Sequence, residues 1–477
     1  MGMLRILSKD DLQKIHNASL QILRDTGIVI HHGRSLDGLA EAGASVDHQK
    51  HKVLISPELV DECLRRTPKF HTLAGRDSRR DLKIEAGKTY TRSASGSIYI
   101  IDSETGSRRE ASSIDARNFT RAQDALENIS FCGGSPYPFD THPAMRDIYQ
   151  IRIMLENTEK HIRFQPLSAK GLDCVVELAR AVVGTKDELK KRPIVSCVTA
   201  PVSPLVYSRE QTEIIMRSGA LGLPVMLGST PTVGATGPVT LAGSLALENA
   251  EILAGIVLAQ VMNPRSPLSY GPRMPSMDMR TGLSAWGTIE FGLAAAAGAQ
   301  LGQFYGIETD LYGATSDAKV LDEQAAIERT FNAVLPALAG ANVVNGAGVL
   351  ESILTVSLEQ LVIDSEMFGM LFRLLRGVVL DEEKLALDVI NRVGPGGNFL
   401  TDTHTKQHYV MEHFLPQVFD RKPREVWEQA GGRDVVAASR EIVTKITREH
   451  EPTPLDKDVV KEMDYILRDA KKHFTQN

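Results

Sequence analysis

The sequence is poor in cysteine. Its 477 residues include four, Cys63, Cys132, Cys174 and Cys197, and no two of them form a C-x-x-C pair. Scattered cysteines of this kind are typical of reduced thiols, and they do not suggest a disulfide framework or a structural zinc site. We therefore expect free cysteines and a cytoplasmic protein.

An excess of positive charge is also missing. Fifty-four basic residues face 60 acidic ones, which leaves a formal charge of −6. This balance argues against nucleic acid and against anionic membrane surfaces as partners, because both favour basic proteins. The N-terminus has no apolar stretch long enough for a secretory signal. The most apolar helical stretch, 252–262, is too short to span a bilayer.

Familiar phosphate-binding and nucleophile motifs are absent. The stretch LGSTPTVGATGPVTLAGSLALENAE (227–251) has the pattern of a strand, a glycine turn and a helix. It matches neither G-x-x-x-x-G-K-[ST] nor G-x-G-x-x-G, and no lysine follows to meet a phosphate. No G-x-S-x-G elbow occurs elsewhere. We interpret the stretch as a tight turn whose small residues let the backbone be approached closely.

A regular β-then-α rhythm runs through the middle of the chain. It predicts eight strands, at 129–134, 161–168, 193–200, 224–230, 266–271, 301–310, 341–346 and 398–402. The intervening helices are predicted at 142–158, 169–183, 207–221, 238–262, 282–298, 317–336, 357–377 and 404–415. Eight such units favour a (β/α)8 TIM barrel, an α/β fold, over an open doubly wound sheet. The predicted organisation is an α+β N-terminal extension (1–115), the barrel (116–415) and a helical C-terminal extension (416–477).

Three neighbouring histidines raise the question of a metal site. His404, His408 and His413 lie in HTHTKQHYVMEH, but H-E-x-x-H is absent and the spacings of four and five residues do not keep all three on one helical face. We therefore expect no metal, with a metal-dependent barrel lyase or hydrolase kept as an alternative. His404 follows the predicted eighth strand and is a candidate active-site residue.

Aromatic residues make up only 5% of the chain, yet several fall at predicted strand ends. These are Phe131, Tyr137, Phe139, Tyr270, Tyr312 and Phe399. Ring faces attract a quaternary ammonium, which has no N–H to donate. Ordinary packing at the barrel mouth is the alternative explanation for each of them.

Several long stretches resemble the trimethylamine methyltransferase superfamily. They are STPTVGATGPVTLAGSLALENAE, RMPSMDMRTGLSAWGTIEFGLAAAAGAQLGQFYG, SDAKVLDEQAAIE, GAGVLESILTVSLEQLVIDSEMFGM and the opening LSKDDLQKIHNASLQILRDTG. The resemblance implies a (β/α)8 barrel and methyl transfer from a methylated amine to the Co(I) of a separate corrinoid protein. The founding trimethylamine enzymes carry pyrrolysine, whereas this sequence uses only the twenty standard residues. It is therefore similar to the members without pyrrolysine, which use quaternary amines such as glycine betaine.

On this resemblance we expect a methyltransferase that acts on a quaternary amine, first of all glycine betaine. Positions at strand ends suggest Phe131, Tyr270, Tyr312 and Phe399 for the cation, and Gln165, Asn345 and His404 as catalytic polar groups. Ser229, Thr230, Gly234, Ala235 and Gly237 are expected to face the corrinoid.

The corrinoid is expected to arrive on its own protein, with no tightly bound cofactor in this chain. We expect no nucleic acid or membrane partner, and a homo-oligomer. A non-catalytic betaine-binding protein is a further alternative.

Overall fold

The computed structural model describes residues 4–94 and 96–474. Its α-helices are Lys9–Gln21, Gly33–Glu41, Pro57–Arg66, Ser113–Ala125, Arg146–Asn157, Ala169–Val183, Lys186–Lys191, Arg209–Leu221, Leu241–Met262, Ile289–Tyr305, Glu323–Leu338, Leu358–Leu375, Glu382–Leu385, Leu387–Val393, Thr403–Glu412, Arg424–Gln429, Val435–Glu449 and Lys457–Phe474. A π-helical turn, Ile22–Thr26, follows the first helix, and 3-10 turns lie at Ser78–Arg80 and Pro143–Met145. The protein thus mixes helices with short strands.

The strands are Ile28–Ile30, Ser45–Asp47, Lys52–Leu54, Thr72–Leu73, Leu82–Lys83, Tyr90–Ser93, Tyr99–Ile101, Arg108–Glu110, Ile162–Phe164, Val195–Thr199, Val206–Tyr207, Val225–Ser229, Leu268–Pro272, Ser276–Asp278, Leu283–Ala285, Asp310–Tyr312, Val343–Ala347, Val349–Leu350 and Thr355–Val356. Most have two to five residues. Seven of them, with one bridging segment, form the parallel arrangement on which the site is built.

Eight parallel segments pair in a closed cycle, which we call the ring. In chain order they are Tyr90–Ser93, the bridging residues 131–132, Ile162–Phe164, Val195–Thr199, Val225–Ser229, Leu268–Pro272, Asp310–Tyr312 and Val343–Ala347. Each segment pairs with the next, and the last pairs with the first through Val343 opposite Tyr90 and Ala347 opposite Ser93. Parallel pairing requires a long crossover between neighbours, and the helices supply it.

The two ends of the predicted strand series need correction. The ring begins at Tyr90–Ser93, inside the segment predicted as the N-terminal extension. The predicted eighth strand, 398–402, is irregular chain instead. Its apolar pair, Phe399 and Leu400, is 44% and 83% exposed, so no sheet buries it. A buried parallel strand has to be covered on both faces, and this segment is covered on neither.

The predictions between these ends are mostly confirmed. The helix predicted at 169–183 is Ala169–Val183, and the strands predicted at 193–200 and 224–230 are Val195–Thr199 and Val225–Ser229. The main error is at 301–310, where the preceding helix continues to Tyr305 and the strand is only Asp310–Tyr312. Gly306 ends that helix in the left-handed conformation at φ 65°, a normal glycine C-cap.

The Leu241–Met262 helix is the apolar centre of the fold. It is long and apolar enough to cross a membrane, but 83% of its apolar window is buried inside the protein. The N-terminal helices Lys9–Gln21 and Pro57–Arg66 pack on one side of it and the ring lies on the other. It therefore serves as a core helix that joins the N-terminal elements to the ring.

The last helix packs back on the body, as its apolar stripe predicts. Met463 is fully buried, and Val459, Ile466 and Leu467 pack against the main core. The helix lies along Ala169–Val183. The Lys457–Phe474 helix thus packs on the outside of the helices that follow the ring strands.

Candidate functional site

Alternation along the strands decides which side chains enter the ring. Successive residues of a strand point to opposite faces. Arg92 and Arg163 both reach Asp310, although their strands are not neighbours of Asp310–Tyr312, so all three side chains cross the interior. Tyr312, two residues beyond Asp310, lies on the same interior face at the carboxyl end of its strand.

A layer of paired charges fills the middle of the ring. Asp310 accepts hydrogen bonds from Arg92 (2.8 and 3.0 Å), from Arg163 (2.6 Å) and from the amide of Asn345 (2.5 Å). Arg163 also lies 3.2 Å from Glu308, and Nε2 of His71 is 2.8 Å from the same carboxylate. Fully buried charges persist only when they are paired in this way.

The arginines keep both carboxylates ionised. Burial alone would raise the pKa of Asp310, but attraction to Arg92 and Arg163 outweighs it and lowers the value to about 2. Burial likewise opposes ionisation of Glu308, whereas His71 and Arg163 together lower its pKa to about 2. Both carboxylates are therefore ionised at neutral pH and are not proton donors.

At the carboxyl end of the ring, three large side chains meet above this layer. The guanidinium of Arg273 lies 5.0 Å from the centre of the Tyr312 ring, and Trp286 meets Tyr312 edge-on at 5.5 Å. Nη2 of Arg273 is 3.3 Å from the sulfur of Met226, an interior residue of Val225–Ser229. Arg273 and Trp286 belong to the loop that follows Leu268–Pro272. We call this group, Met226, Arg273, Trp286 and Tyr312, the mouth cluster.

Arg273 is the exceptional member of the mouth cluster. Only 9% of it is exposed, and its Nε has no hydrogen-bond partner among the described residues. Its own backbone N–H donates to Glu248 at 2.6 Å, but within residues 4–94 and 96–474 no carboxylate forms an ion pair with its guanidinium. Burial lowers the pKa of Arg273, although a guanidinium stays protonated in proteins. The mouth thus holds a buried cation that needs an anion.

Two of the predicted residues do lie at this place. Tyr312 and Asn345 are paired in register on neighbouring strands. Asn345 donates to Asp310, while its Oδ1 is buried with no partner in the described chain. Gln165 follows Ile162–Phe164 at the same end, where its carbonyl accepts a 3.3 Å hydrogen bond from Tyr137. The side chain of Gln165 is exposed.

Tyr270 and Phe131 do not lie at the mouth. Tyr270 points out of the ring, because its neighbours Ser269 and Gly271 take the inward positions, and its hydroxyl donates to Asn249 on the core helix at 2.8 Å. Phe131 does face inward, but it packs against Leu73, Ile84 and Val343 in a small separate core. The segment that contains Leu73 and Ile84 leads into the first ring strand, so this core closes the amino-terminal end.

Phe399 and His404 lie outside the ring altogether. Both belong to the irregular and helical segment after Leu358–Leu375, and the strand that was to place them does not form. His404 stacks on His408 at 4.3 Å, while His413 stacks on Tyr409 at 5.1 Å, so the three histidines do not converge. Among residues 4–94 and 96–474, no group of three His, Cys, Asp or Glu is placed to hold a metal ion.

The residues expected to face the corrinoid divide into two groups. Ser229 is buried, and its hydroxyl donates to Glu251 at 2.5 Å on the outside of the ring, so its expected place on the rim is wrong. Thr230 is half-buried beside it. Gly234, Ala235 and Gly237 form a tight turn on the carboxyl edge, with the N–H of Ala235 donating to the carbonyl of Thr232 at 2.9 Å.

Packing around the turn at 234–237 accounts for two of its small residues, Gly234 and Gly237. A Cβ on Gly234 would lie 2.8 Å from Met279, and one on Gly237 would lie 2.6 Å from Ser244, whereas Ala235 is exposed. Beside the turn runs a groove of about 700 Å³ whose walls include Val233, Met279, Thr281 and residues 283–285. The two glycines are thus required by packing. Ala235 is exposed, so packing does not explain its small size.

Sequence reasoning missed the charged layer and three members of the mouth cluster, Met226, Arg273 and Trp286, whereas it predicted the fourth, Tyr312. Arg163 is a single charge in HIRF, whereas Arg92 lies in the polar stretch TYTRS, and Glu308 and Asp310 lie together in IETDLY. None of these patterns distinguishes an interior residue of a buried strand. Arg273 has a clearer signal, because it directly follows the strand residues SYGP. A charged residue immediately after a parallel strand lies at the end where active sites form.

Comparison with known proteins places the chain in a family. The family model described as trimethylamine methyltransferase (MTTB) matches residues 1–473. The chain belongs to this family. The trimethylamine methyltransferase MttB of Desulfitobacterium hafniense (strain DSM 10664 / DCB-2) is 32% identical over 467 residues, covering 98% of this chain and 94% of the relative. The glycine betaine methyltransferase of D. hafniense (strain Y51) is also 32% identical, over 424 residues and 88% of each chain.

A solved structure supports the fold of this family member. The monomethylamine methyltransferase MtmB of Methanosarcina barkeri superposes with a TM-score of 0.54 at 12% identity, over 99% of this chain and 88% of that one. At this identity the likeness concerns the fold alone. The chain is thus a member of a methyltransferase family in which relatives named for trimethylamine are 32–34% identical to it and one named for glycine betaine is 32% identical, so overall similarity does not choose the substrate.

Proposed function

We propose that this protein moves a methyl group from a quaternary amine that carries a carboxylate, in the first place glycine betaine, to the Co(I) of a corrinoid protein. The observation that carries the proposal is Arg273 at the mouth of the ring, a buried guanidinium that forms no ion pair with any carboxylate among residues 4–94 and 96–474. We interpret the ring as the catalytic (β/α)8 barrel and place the reaction at its carboxyl end.

Charge in the interior supports a carboxylate substrate. Three arginines (Arg92, Arg163 and Arg273) face two ionised carboxylates, Glu308 and Asp310. Glu248 meets Arg273 through the backbone N–H, at 2.6 Å, and the two side chains form no ion pair among the described residues; burial raises the pKa of Glu248 well above its usual range. A substrate carboxylate would supply a negative charge, since arginine binds carboxylates in bidentate geometry. Trimethylamine has no such group and would leave Arg273 unpaired.

The same mouth offers a place for the cation. Trp286 and Tyr312 stand beside Arg273, and aromatic rings attract a quaternary ammonium electrostatically. With its carboxylate on Arg273, a short betaine would lie with its methyl groups among these rings. The chain's contribution is then to hold and orient the substrate and to keep water out, which is most of what an in-line displacement requires.

The corrinoid is a co-substrate in this scheme and supplies a Co(I) nucleophile. The carbon–nitrogen bond of one methyl group breaks, and its electron pair remains on nitrogen. The amine is released as a neutral tertiary amine, so the chain need not provide a general acid. A low edge with the exposed Ala235 fits the approach of a large planar ring. We further propose that the protein acts in the cytoplasm.

A panel of substrates tests the proposal. The enzyme is mixed with free cob(I)alamin and with glycine betaine, carnitine, tetramethylammonium or trimethylamine, and methylcobalamin is followed by absorbance. We expect methylation with a betaine and much slower methylation with tetramethylammonium and trimethylamine, which have no carboxylate. Tight binding of glycine betaine without any methylcobalamin would favour the non-catalytic binding protein. Methylation from trimethylamine alone would contradict the role given to Arg273.

Ala235 provides a test of the corrinoid-facing edge. Replacing it with tryptophan adds bulk at an exposed site, and we expect KM for cob(I)alamin to rise about tenfold, equal to about 1.4 kcal/mol of lost binding. Glycine betaine affinity, measured by calorimetry, should stay unchanged. Ala235→Ser is the matched control and should behave as the parent enzyme. Equal effects of tryptophan on both measurements would show that the turn does not face the corrinoid. Gly237 is less suitable for this test, because Ser244 fills the space its side chain would need.

A further inference from the structure

The loop that carries Trp286 is tied down beside the mouth. The backbone N–H groups of Trp286 and Gly287 donate to the two carboxylate oxygens of Asp317, at 2.8 and 2.9 Å. The carbonyl of Trp286 accepts from the hydroxyl of Thr315 at 2.8 Å. Thr315 and Asp317 follow the ring strand Asp310–Tyr312. Both backbone polar groups of Trp286 are therefore held by side chains from the loop after the next ring strand.

Asp317 is itself fixed through its backbone. Its N–H donates to the carboxylate of Glu328 at 2.9 Å, and the hydroxyl of Ser316 donates to the same carboxylate at 2.7 Å. Gly287 permits the close approach of the two loops, since a Cβ there would lie 2.9 Å from the backbone nitrogen of Asp317. A carboxylate whose own backbone is held in this way can hold a neighbouring loop in turn.

A strained turn reaches Asp317 from the following loop of the ring. Glu351, Ser352 and Ile353 have φ angles of 51°, 54° and 73°, three successive left-handed residues with no glycine among them. This conformation is unfavourable for residues with a Cβ, and most of all for a β-branched one such as isoleucine. It persists where the surrounding structure enforces it, and it is concentrated at functional sites.

Contacts with the segment around Asp317 enforce this turn. The N–H groups of Glu351 and Ser352 donate to the carbonyls of Ala318 and Ser316, both at 3.0 Å. The turn thereby brings the hydroxyl of Ser352 to 2.5 Å from Oδ1 of Asp317. The carboxylate of Asp317 thus accepts three hydrogen bonds, and they come from two loops of the ring other than its own.

A helix cap is the ordinary role for an acidic residue at this point of the chain. The helix that the sequence predicts at 317–336 begins instead at Glu323. Asp322 caps that helix by accepting from the N–H of Ala325 at 3.0 Å. A change at Asp317 therefore leaves the helix cap intact and acts on the mouth.

We propose that Asp317 is a positioning residue of the mouth, whose carboxylate holds the indole of Trp286 against Tyr312. Trp286 is 9% exposed and meets the Tyr312 ring edge-on at 5.5 Å. The attraction between an aromatic ring and a cation depends on how the ring is placed, and a ring carried by a loop has to be held through its backbone. The consequence for catalysis rests on the proposed function, whereas the contact itself is tested without substrate.

The fluorescence of Trp286 reports on this contact. The chain has two tryptophans, so Trp427→Phe leaves Trp286 as the only one. In that background we expect acrylamide to quench Asp317→Ala about threefold more strongly than the parent, because a loop with fewer hydrogen bonds opens more often. Asp47→Ala is the matched control, since this carboxylate also accepts from two backbone N–H groups, at 3.0 and 3.1 Å, but in the N-terminal segment. It should leave the quenching unchanged.

Ser352→Ala provides a milder variant for the case in which Asp317→Ala does not fold. It removes one of the three hydrogen bonds to Asp317 and should raise the quenching of Trp286 by a smaller factor. Quenching at the parent level in the Asp317 variant overturns the proposal. If that variant does not fold, quenching at the parent level in Ser352→Ala overturns it.

Kinetics separate the placement of the ring from the binding of a carboxylate. Glycine betaine and tetramethylammonium both carry the cation, so Asp317→Ala should lower kcat/KM about tenfold for each and leave their ratio unchanged. Asp317→Asn keeps one acceptor oxygen and should recover part of the loss. A loss confined to glycine betaine would overturn the positioning role. A parent enzyme that methylates cob(I)alamin from no quaternary amine would reject the proposed function, while stronger quenching in Asp317→Ala would still support the contact.

Discussion

Arg273→Met is expected to lower kcat/KM for glycine betaine about 30- to 5,000-fold, which corresponds to about 2 to 5 kcal/mol for removing one partner of a buried charge pair. Methionine keeps the length of the side chain and removes its charge. Turnover of tetramethylammonium should be unchanged or faster in the same variant, because a cationic substrate without a carboxylate no longer meets a buried positive charge. The ratio of kcat/KM for glycine betaine to kcat/KM for tetramethylammonium therefore reports the role of Arg273 directly.

Two further variants make this result specific. Arg273→Lys keeps a positive charge but not the bidentate geometry, so part of the activity should return. Arg209→Met removes an arginine from the exposed surface, where it pairs with Glu213, and should leave both substrates unaffected. A variant Arg273→Met that folds normally and demethylates glycine betaine at the parent rate would remove the carboxylate-binding role from this residue.

Asp310→Asn should destabilise the protein by about 3 to 5 kcal/mol, the usual cost of breaking a buried ion pair from one side. The native carboxylate accepts from Arg92, Arg163 and Asn345, so an amide loses the charge and turns an N–H group towards existing donors. Both arginines would remain buried with Glu308 as the only nearby carboxylate in the layer. Denaturant unfolding at pH 7 measures the change.

The control for Asp310→Asn is an exposed pair. Glu62→Gln breaks the contact with Arg66 on the surface of the Pro57–Arg66 helix, and such pairs contribute about 1 kcal/mol or less. Equal unfolding midpoints for the two variants would mean that the buried layer contributes little to stability. In that case, the presence of Arg92 and Arg163 in the layer would have to be explained by substrate binding and not by stability.

Most of the repeating pattern was readable from the sequence because strands such as Val225–Ser229 are mostly apolar and helices such as Ala169–Val183 begin at a capping side chain. Val225–Ser229 and Ala169–Val183 were predicted within a residue or so for this reason. The errors lie at the ends of the series. Tyr90–Ser93 lies in a strand-like stretch that precedes the regular β-then-α rhythm, so it was assigned to the N-terminal extension, and its partner strand lies far away in the sequence. The apolar residues of 398–402 look like a strand but belong to an exposed surface.

The candidate site was less predictable than the fold. Strand ends located Tyr312 and Asn345 correctly at the mouth. Tyr270 shows why strand ends are an insufficient guide. A shift of one residue along a strand decides whether a side chain faces the interior of the ring or the core helix. Arg273 needed the three-dimensional contacts, because its interest lies in a guanidinium that has no ion-paired carboxylate in the described part of the chain. The absence of an ion-pair partner is visible only in the three-dimensional structure, because no sequence pattern encodes it.

Closure of the ring has a consequence for how this chain folds. The first strand, Tyr90–Ser93, hydrogen-bonds to the last, Val343–Ala347, across about 250 residues of intervening chain, and contacts of such range slow folding. During synthesis the ring therefore stays an open sheet with two unpaired edges until its last strand has emerged. Unpaired strand edges are prone to aggregate. Expression of this protein is thus expected to be sensitive to the rate of translation near the Val343–Ala347 strand, far from any residue of the mouth.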